Sequence, residues 1–430
     1  MMPPTLASSL SPVRATLDNG AVVIVQETSA TPAVAINATF LAGGLHEPAD
    51  LSGLAYLTGR VIDRGTEHRS ADVIAEELDE RGISLHVGTT RHTMTLSCTC
   101  LAEDFSEVLA IVMDVARRPA FPDRELAKRR AEAMTIVRQD EDNPAARALV
   151  GLSELLYGID HPYGRRAKGT IASLERIDRE AIVRFHGRYV RPAVLTLAVV
   201  GDVGAPDVID RTAAELDGWT GAPAGPIVVP PPLMPQVRRL RVIPMPGKSQ
   251  TDVAYGFTTI SRLDPRYYAY WMMNNILGQF GLGGRLADNI RERQGMAYYA
   301  FSTFDPTFGE GPLVVRAGVD PKNVDRALEA IDTEVRQLGA EGPTPVEVAE
   351  TREFLIGSIP RLLETNYSIA GFLQTCEQFG LGLDYDRRLP ALLEAVTMDE
   401  IRSAAAEVLW PERAAVVVAG PDVRPDRAEP

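Results

Sequence analysis

The six histidines of the chain are the residues best suited to bind a catalytic metal, but their spacing does not favour a site. A helix that binds zinc offers two imidazoles three or four residues apart, and no two of these histidines have that separation. They are His46, His68, His86, His92, His161 and His186. Cys98 and Cys100 are two apart in an alternating segment, which is typical of one face of a strand rather than of a redox or metal pair. We therefore predict no metal site from these residues.

Two further kinds of chemistry are not indicated either. No serine or cysteine has a histidine in a recognisable nucleophile context, which argues against a self-contained serine or cysteine peptidase. Glycines cluster at 281–284, but no Gly-Lys-Ser/Thr follows them, so a phosphate-binding loop is not predicted. We interpret this segment as a loop into a helix that ends at Gly295 and is followed by a strand over 296–304.

Arg291 and Tyr298 stand seven residues apart in this predicted helix and strand. A guanidinium and a phenolic hydroxyl can both donate hydrogen bonds to an oxygen that gains negative charge. The structural alternative is an arginine in the last helical turn, where the helix dipole favours it, and a half-buried strand tyrosine. From spacing alone, the structural alternative is the simpler interpretation.

The elements that would position these residues repeat along the chain. Helix starts at 104–109 and 122–125 recur as 323–328 and 345–348, at an offset of about 220 residues. In the first half we predict strands at 21–27 and 34–41, helices at 53–64 and 71–81, and strands through His86 and 96–100. The second half opens with strands at 239–243 and 252–258 and a helix at 266–277. A duplicated α+β unit is therefore predicted.

A run rich in proline and glycine, 218–236, separates the two halves and cannot hold a helix or a central strand. We predict an N-terminal domain over 1–217, this linker, and a C-terminal domain over 237–430. The predicted fold class is α+β: two homologous domains, each a mostly antiparallel β-sheet packed with helices.

Composition narrows the partners. The 430 residues are 45% hydrophobic and 24% charged, as in globular proteins, and 58 acidic against 44 basic residues give a net charge of −14. This excess repels phosphate and anionic lipid, so we expect neither nucleic acid nor a membrane surface as partner. No signal peptide is visible at the start of the sequence, which favours a cytoplasmic location, with a periplasmic one as the alternative if the N-terminus was trimmed.

The segment 53–66, GLAYLTGRVIDRGT, resembles the zinc-binding helix of the pitrilysin and mitochondrial-processing-peptidase superfamily, close to GLAHxxEHxxFxGT. The resemblance places Tyr56 at the first histidine, Gly59 at the catalytic glutamate and Arg60 at the second histidine. Counting to the family's third ligand, a glutamate on a later helix, leads to Ile136. None of the four residues can bind zinc or activate a zinc-bound water, so the resemblance implies that this chain binds no zinc. In its place, Arg60 can stack on Tyr56 or pair with Asp63.

Other segments carry the same resemblance from about Leu17 to Val418. Residues 161–170, HPYGRRAKGT, are similar to the family's HPYGRPxxGT turn, which we interpret as a structural loop. Residues 281–298 resemble the second-domain signature, roughly GxSSRLFxxIREKxGLAY, with glycine in place of serine at Gly284. In that signature, the positions of Arg291 and Tyr298 are a pair that reaches toward the zinc site of the opposite domain.

The resemblance implies a division of labour between two chains. We expect this one to be the zinc-free subunit of a heterodimeric zinc peptidase, with zinc in a homologous partner that keeps the His/Glu motif. Arg291 and Tyr298 would bind the substrate peptide and stabilise the oxyanion in the partner's active site. The alternative is an inactive structural or peptide-binding homologue, similar to the core subunits related to processing peptidases, with no role in proteolysis.

Overall fold

A computed structural model describes residues 10–222, 225, 227–232, 235–279 and 283–421. The strands are β1 Val13–Thr16, β2 Val22–Glu27, β3 Ala33–Phe40, β4 His86–Thr89, β5 Met94–Leu101, β6 Leu195–Gly201, β7 Arg239–Pro244, β8 Thr251–Thr258, β9 Ala297–Phe304, β10 Pro312–Val319 and β11 Ala415–Gly420. The α-helices are α1 Leu54–Val61, α2 Ala71–Asp79, α3 Phe105–Arg117, α4 Asp123–Glu141, α5 Pro144–Tyr157, α6 Ile171–Arg176, α7 Arg179–Tyr189, α8 Ala205–Glu215, α9 Tyr267–Asn274, α10 Val324–Glu341, α11 Pro345–Leu362, α12 Asn366–Gln378, α13 Tyr385–Glu394 and α14 Met398–Val408.

The strands form two sheets with the same plan. The first sheet has the order β1-β2-β6-β3-β5-β4 and the second β7-β11-β8-β10-β9. In each, one pair is parallel, β2 with β6 and β7 with β11, and the other neighbours are antiparallel. The predicted fold class, two homologous and mostly antiparallel sheets packed with helices, is confirmed.

Each sheet lies between two layers because its central strand is apolar on both faces. On one face of β3, Val34, Ile36 and Phe40 join a core with α1 and α3. The side chains that alternate with them face the other way, where Ala35 packs against Leu373 of α12. A strand with two apolar faces needs cover on both, and helices supply it.

The cover on one face comes from the other half of the sequence. The first compact unit consists of 1–137, 166–226 and 358–388, and the second of 138–165, 227–357 and 389–430. Accordingly α12, which follows the second sheet's first four strands, packs on the first sheet, and α5 packs on the second through Leu152 and Leu156. The halves of the sequence therefore exchange segments between the two units.

Most of the elements predicted from the sequence lie within a few residues of the observed ones. The predicted helix at 53–64 is α1 at Leu54–Val61, and the predicted strand at 296–304 is β9 at Ala297–Phe304. The helix predicted at 266–277 is α9, which continues as a π-helical turn over Asn275–Gln279. Within the predicted linker 218–236, Pro223, Ala224, Pro226, Leu233 and Met234 lie outside the described residues. Among the described helices, none is both long and apolar enough to cross a bilayer.

The exchanged helix gives a stability prediction. Leu373 is fully buried against the first sheet, so Leu373→Ala should cost about 2–5 kcal/mol. Hydrogen exchange should then quicken in β3 and β6, although the substitution lies in the other half of the sequence. Tyr367→Ala, on the same helix at a side chain 52% exposed, is the control and should change little. Unchanged protection of β3 and β6 in Leu373→Ala would contradict this packing.

Candidate functional site: a degenerate metal helix and an exposed Arg/Tyr pair

Helix α1 keeps the fold of a metal-binding helix without its chemistry. The Glu47 carboxylate accepts hydrogen bonds from the backbone N–H groups of Gly53 (2.9 Å) and Ala55 (2.7 Å), and so holds the start of the helix. Leu54, Leu57 and other apolar side chains then bury one face in the first unit's core. The helix is therefore well fixed, and the chemistry it can offer depends on the partly buried Tyr56 and Arg60 and on the buried Gly59.

Position 59 has no room for a general base. Gly59 is buried, and a Cβ atom built on it would lie 2.6 Å from the Thr89 Cγ2 atom of β4. Contacts under 3 Å force a neighbour to move, so a glutamate here would need Thr89 to shift first. Tyr56 is partly buried and packs against the same core. The close approach of α1 to β4 thus depends on the glycine.

An ion pair stands at the second histidine position. Arg60 Nη2 donates to Glu132 Oε2 at 2.8 Å, and Glu132 also accepts from Arg129 Nη1 at 3.0 and 2.8 Å. The hydrogen bond from Arg129, aided by Arg60, lowers the pKa of the Glu132 carboxyl. The predicted pairing of Arg60 with Asp63 is wrong: Asp63 instead pairs with Arg64 at 3.0 Å. Arg60 therefore pairs with Glu132 of a second helix, α4, and not with Asp63, which follows its own helix.

Sequence reasoning missed Glu132, although a signal for it was present. It lies on α4 four residues before Ile136, the position reached by counting to the third ligand, and residues four apart share a helix face. Ile136 is itself partly buried and has no donor atom. The Glu132 carboxylate therefore serves as the counter-ion of two arginines, Arg60 and Arg129.

Zinc does not fit this site. Tyr56, Gly59, Arg60 and Ile136 supply no imidazole or carboxylate, and two guanidinium groups would repel a divalent cation. Across the described ranges, no group of three or more His, Cys, Asp or Glu side chains is arranged to hold a metal ion.

The histidines serve structure where their contacts are seen. In the loop at 161–170, the His161 Nε2–H donates to the Pro230 carbonyl at 2.8 Å, and Nδ1 accepts from the Tyr163 N–H at 3.0 Å. The His186 Nε2–H donates to the Ala116 carbonyl at 2.8 Å. Burial lowers the pKa of His92 to about 4. The interpretation of the 161–170 segment as a structural loop is confirmed.

The second conspicuous site is the segment that carries Arg291. Within the motif at 281–298, Gly281 and Leu282 lie outside the described residues. A π-helix then spans Ala287–Arg293, and Gly295 follows it with φ +60°, the left-handed turn predicted there. The Arg291 side chain is 43% exposed, and its ion-pair contact is a long one, Nε to the Glu292 Oε1 atom at 3.5 Å. The guanidinium is therefore largely open to a ligand.

Tyr298 lies on β9, the edge strand of the second sheet, and is 86% exposed. Its neighbour Tyr299 points to the opposite face, where its hydroxyl donates to the Asp252 carboxylate. A half-buried strand tyrosine, the structural alternative for Tyr298, is not what the structure shows. Replacement of so exposed a tyrosine should change the stability of the fold by no more than about 0.5 kcal/mol, and its hydroxyl is accessible to an outside partner.

The backbone behind the two side chains is held in place by burial and by hydrogen bonds. Ile290 and Met296, which flank the turn between them, are buried, and the Met296 N–H donates to the Ile290 carbonyl at 3.0 Å. The Asn289 side chain donates to Glu334 of α10 at 2.6 Å. Helix end, turn and strand start are thus held together, and Arg291 and Tyr298 project from one short, fixed segment.

The donor set gives a direct metal prediction. Chain purified without chelator and without added zinc should carry well below one zinc ion per molecule by elemental analysis, because no ligand position can coordinate. A second sample is loaded with micromolar zinc, dialysed against zinc-free buffer and measured in the same way. One tightly held zinc per chain that survives this dialysis would contradict the prediction.

The packing of Gly59 in α1 gives a prediction about stability. Overpacking of a methyl group at Gly59 costs about 1–3 kcal/mol, whereas alanine gains about 1 kcal/mol of helix propensity. Thr89→Ser removes the Cγ2 atom that the new Cβ would meet, so Gly59→Ala should be more favourable by about 1 kcal/mol in that background. Urea unfolding of the four proteins of this cycle measures the coupling. Additivity within about 0.5 kcal/mol would contradict the proposed close packing of α1 on β4.

Comparison with known proteins agrees with this geometry. Residues 22–161 match the family model described as insulinase (peptidase family M16), and residues 176–355 match the peptidase M16 inactive domain. An uncharacterized zinc protease of Streptomyces coelicolor is 24% identical over 413 residues, which cover 95% of this chain and 89% of that protein. A protein of Helicobacter pylori named a non-peptidase homolog is 24% identical and covers 88% of this chain and 87% of its own length.

Among solved structures, the peptidase M16 inactive domain from Pseudomonas fluorescens superposes with a TM-score of 0.90 at 25% identity, covering 98% of this chain and 100% of that one. The two family models together span most of the chain, in the order of its two sheets. The predicted family is confirmed: the chain belongs to the peptidase M16 family of inverted-zinc-motif proteins, with residues at the zinc positions that cannot ligate.

Proposed function

We propose that this chain is the zinc-free subunit of a heterodimeric zinc peptidase and that Arg291 and Tyr298 act in the active site of a homologous, zinc-bearing partner. The observation that carries the proposal is the exposure of both side chains on one fixed segment, 86% for Tyr298 and 43% for Arg291. Both groups can therefore be reached by a ligand or by a partner chain.

The chemistry suits peptide cleavage. When water adds to a peptide carbonyl, the oxygen gains negative charge, and two donors placed on it stabilise the transition state more than the substrate. Arg291 provides a permanent positive charge with a planar fork of N–H groups, and Tyr298 provides one neutral O–H. Neither residue can activate water, so the metal and the general base must come from elsewhere.

The degenerate helix supports a division between chains. Arg60 pairs with Glu132 at the second histidine position of the family motif, and the packing of Gly59 on Thr89 leaves no room for the side chain of a general base. A chain that had lost all function could lose Arg291 and Tyr298 equally, whereas this one retains both at the spacing of the family signature. The relative named a zinc protease and the one named a non-peptidase homolog fit a family that contains both kinds of chain.

A scaffold without a role in proteolysis is the second candidate. The H. pylori relative named a non-peptidase homolog favours it. A scaffold has no use for an oxyanion donor, so the two candidates differ in what happens when the Tyr298 hydroxyl is removed. A cytoplasmic location stays a prediction under either candidate.

Substitution of the pair in the assembled complex tests the proposal. With the zinc-bearing homologue from the same genome co-purified as partner, Tyr298→Phe should lower turnover roughly 100- to 1000-fold, because one oxyanion donor is lost. Arg291→Lys keeps the charge but loses the planar fork and should also be impaired. Assembly, measured by gel filtration, should not change.

Two control substitutions use residues of the same type that are also exposed. Arg293→Ala removes an arginine 73% exposed on the same helix, and Tyr367→Phe removes a hydroxyl from a tyrosine 52% exposed on α12. Both should leave turnover near the wild-type value. Full activity of the double variant Arg291→Ala with Tyr298→Phe would overturn the proposal in favour of the scaffold.

A further inference from the structure

The second unit contains a cavity with polar and apolar lining on the face of the sheet opposite to Tyr298. It has a volume of about 640 Å³ and lies where the start of α5 approaches β8, β9 and β10. Its polar lining includes Asn143, Lys248, Gln250, Tyr299 and Arg316. Nothing in the role proposed for Arg291 and Tyr298 uses these residues.

Arg316 is the group in this cavity that lacks a counter-ion. Its guanidinium carbon lies 5.9 Å from the ring centre of Tyr299 and 5.5 Å from that of Phe301. No carboxylate of the described residues forms an ion pair with it. Two aromatic rings and a hydrogen bond to the Tyr299 hydroxyl fix the position of the cation, which leaves the remaining N–H groups of the guanidinium for a ligand.

Lys248 adds a second positive charge whose present partner is weak. Its ammonium contacts Asp142 Oδ1 at 2.7 Å, with 26% of the lysine side chain and 78% of the aspartate side chain exposed. An ion pair with so exposed a carboxylate contributes little, so Asp142 can move aside at small cost. A ligand carboxylate that also reached Arg316 would compete well for Lys248.

The other acid of the cavity is already occupied. Asp252 is buried and accepts hydrogen bonds from the Tyr299 hydroxyl and from Gln250 Nε2 at 3.2 Å. Tyr299 reaches it by lying across Gly318, where a Cβ atom would come within 2.6 Å of the tyrosine ring. Asp252 therefore positions Tyr299 and Gln250, and Tyr299 in turn positions Arg316.

We propose that this cavity binds the C-terminal carboxylate of a peptide through Arg316 and Lys248. A guanidinium binds a carboxylate with two parallel hydrogen bonds, and the ammonium can donate a third. Phe301, Pro144 and Ala145 give the cavity an apolar side that suits a terminal side chain. The inference rests on the proposed function only in taking the ligand to be a peptide, and the site is separate from Arg291 and Tyr298.

Three short peptides distinguish the possible sources of the carboxylate. The probes are acetyl-Ala-Ala-Ala-Phe as the free acid, the same peptide as the C-terminal amide, and acetyl-Ala-Glu-Ala-Phe amide. Binding to the full chain is followed by calorimetry or ligand-detected NMR at low salt. The free acid should bind about 10- to 100-fold more tightly than the amide, as expected for charge-assisted hydrogen bonds.

Variants then assign the preference to the cavity. Arg316→Gln and, independently, Lys248→Gln should reduce the preference for the acid, and Arg316→Lys should keep part of it. Arg326→Gln, at an exposed arginine of the same unit, is the control and should behave as wild type. If Arg316→Gln fails to fold, Lys248→Gln carries the test, since that side chain lies at the cavity edge.

Two results would overturn the site. Equal binding of acid and amide, or a preference that survives both Arg316→Gln and Lys248→Gln, would show that the cavity does not hold the terminus. If the peptide with the internal glutamate bound as tightly as the free-acid peptide, the preference for a C-terminal carboxylate would be overturned. Turnover of an amidated substrate by the complex is a separate readout of the proposed function, because it depends on Arg291 and Tyr298 of this chain and not on the cavity.

Discussion

The structure depends on the burial of the two central strands, β3 and β8, on both faces. All eight residues of β8 are buried, as are seven of the eight in β3. Such strands cannot stand at a solvent-facing sheet, so each requires two layers of helices. The second layer comes from the other half of the sequence, α12 for the first sheet and α5 for the second, and the halves must therefore fold together.

This arrangement leaves β9 at an edge of the second sheet, and the proposed site at Tyr298 lies on this strand. An edge strand has one side free of ladder hydrogen bonds and has fewer neighbours than a central strand. Tyr298 is exposed on one face of β9, and the hydroxyl of Tyr299 on the other face donates to Asp252. On α1, in contrast, the same tight packing that needs Gly59 against Thr89 excludes the chemistry of a metal site. This chain therefore has the fold of the family with residues at the zinc positions that cannot ligate, and it has an arginine and a tyrosine at the positions of the second signature.

Local sequence patterns predicted the strands and helices. They could not predict contacts between segments that are far apart in the chain. Alternation and helix starts gave β2, β3, β8, β9 and α1 within a few residues, because these signals depend on neighbours in the chain. The pairing of Arg60 was predicted within its own helix, yet Glu132 reaches it from α4, a contact that no local pattern contains. The packing of α12 on the first sheet was not predicted for the same reason. Exposure of Tyr298 could not be known until β9 was seen to be an edge strand.

The most direct measurement of the central claim is the activity of the zinc-bearing partner as this chain is added. Each protein is purified separately, and cleavage of a fluorogenic peptide is followed at fixed partner concentration. The account predicts almost no cleavage by either protein alone and a rise that saturates at one chain per partner. A partner that is fully active alone, and whose rate does not change on addition of this chain, would contradict it.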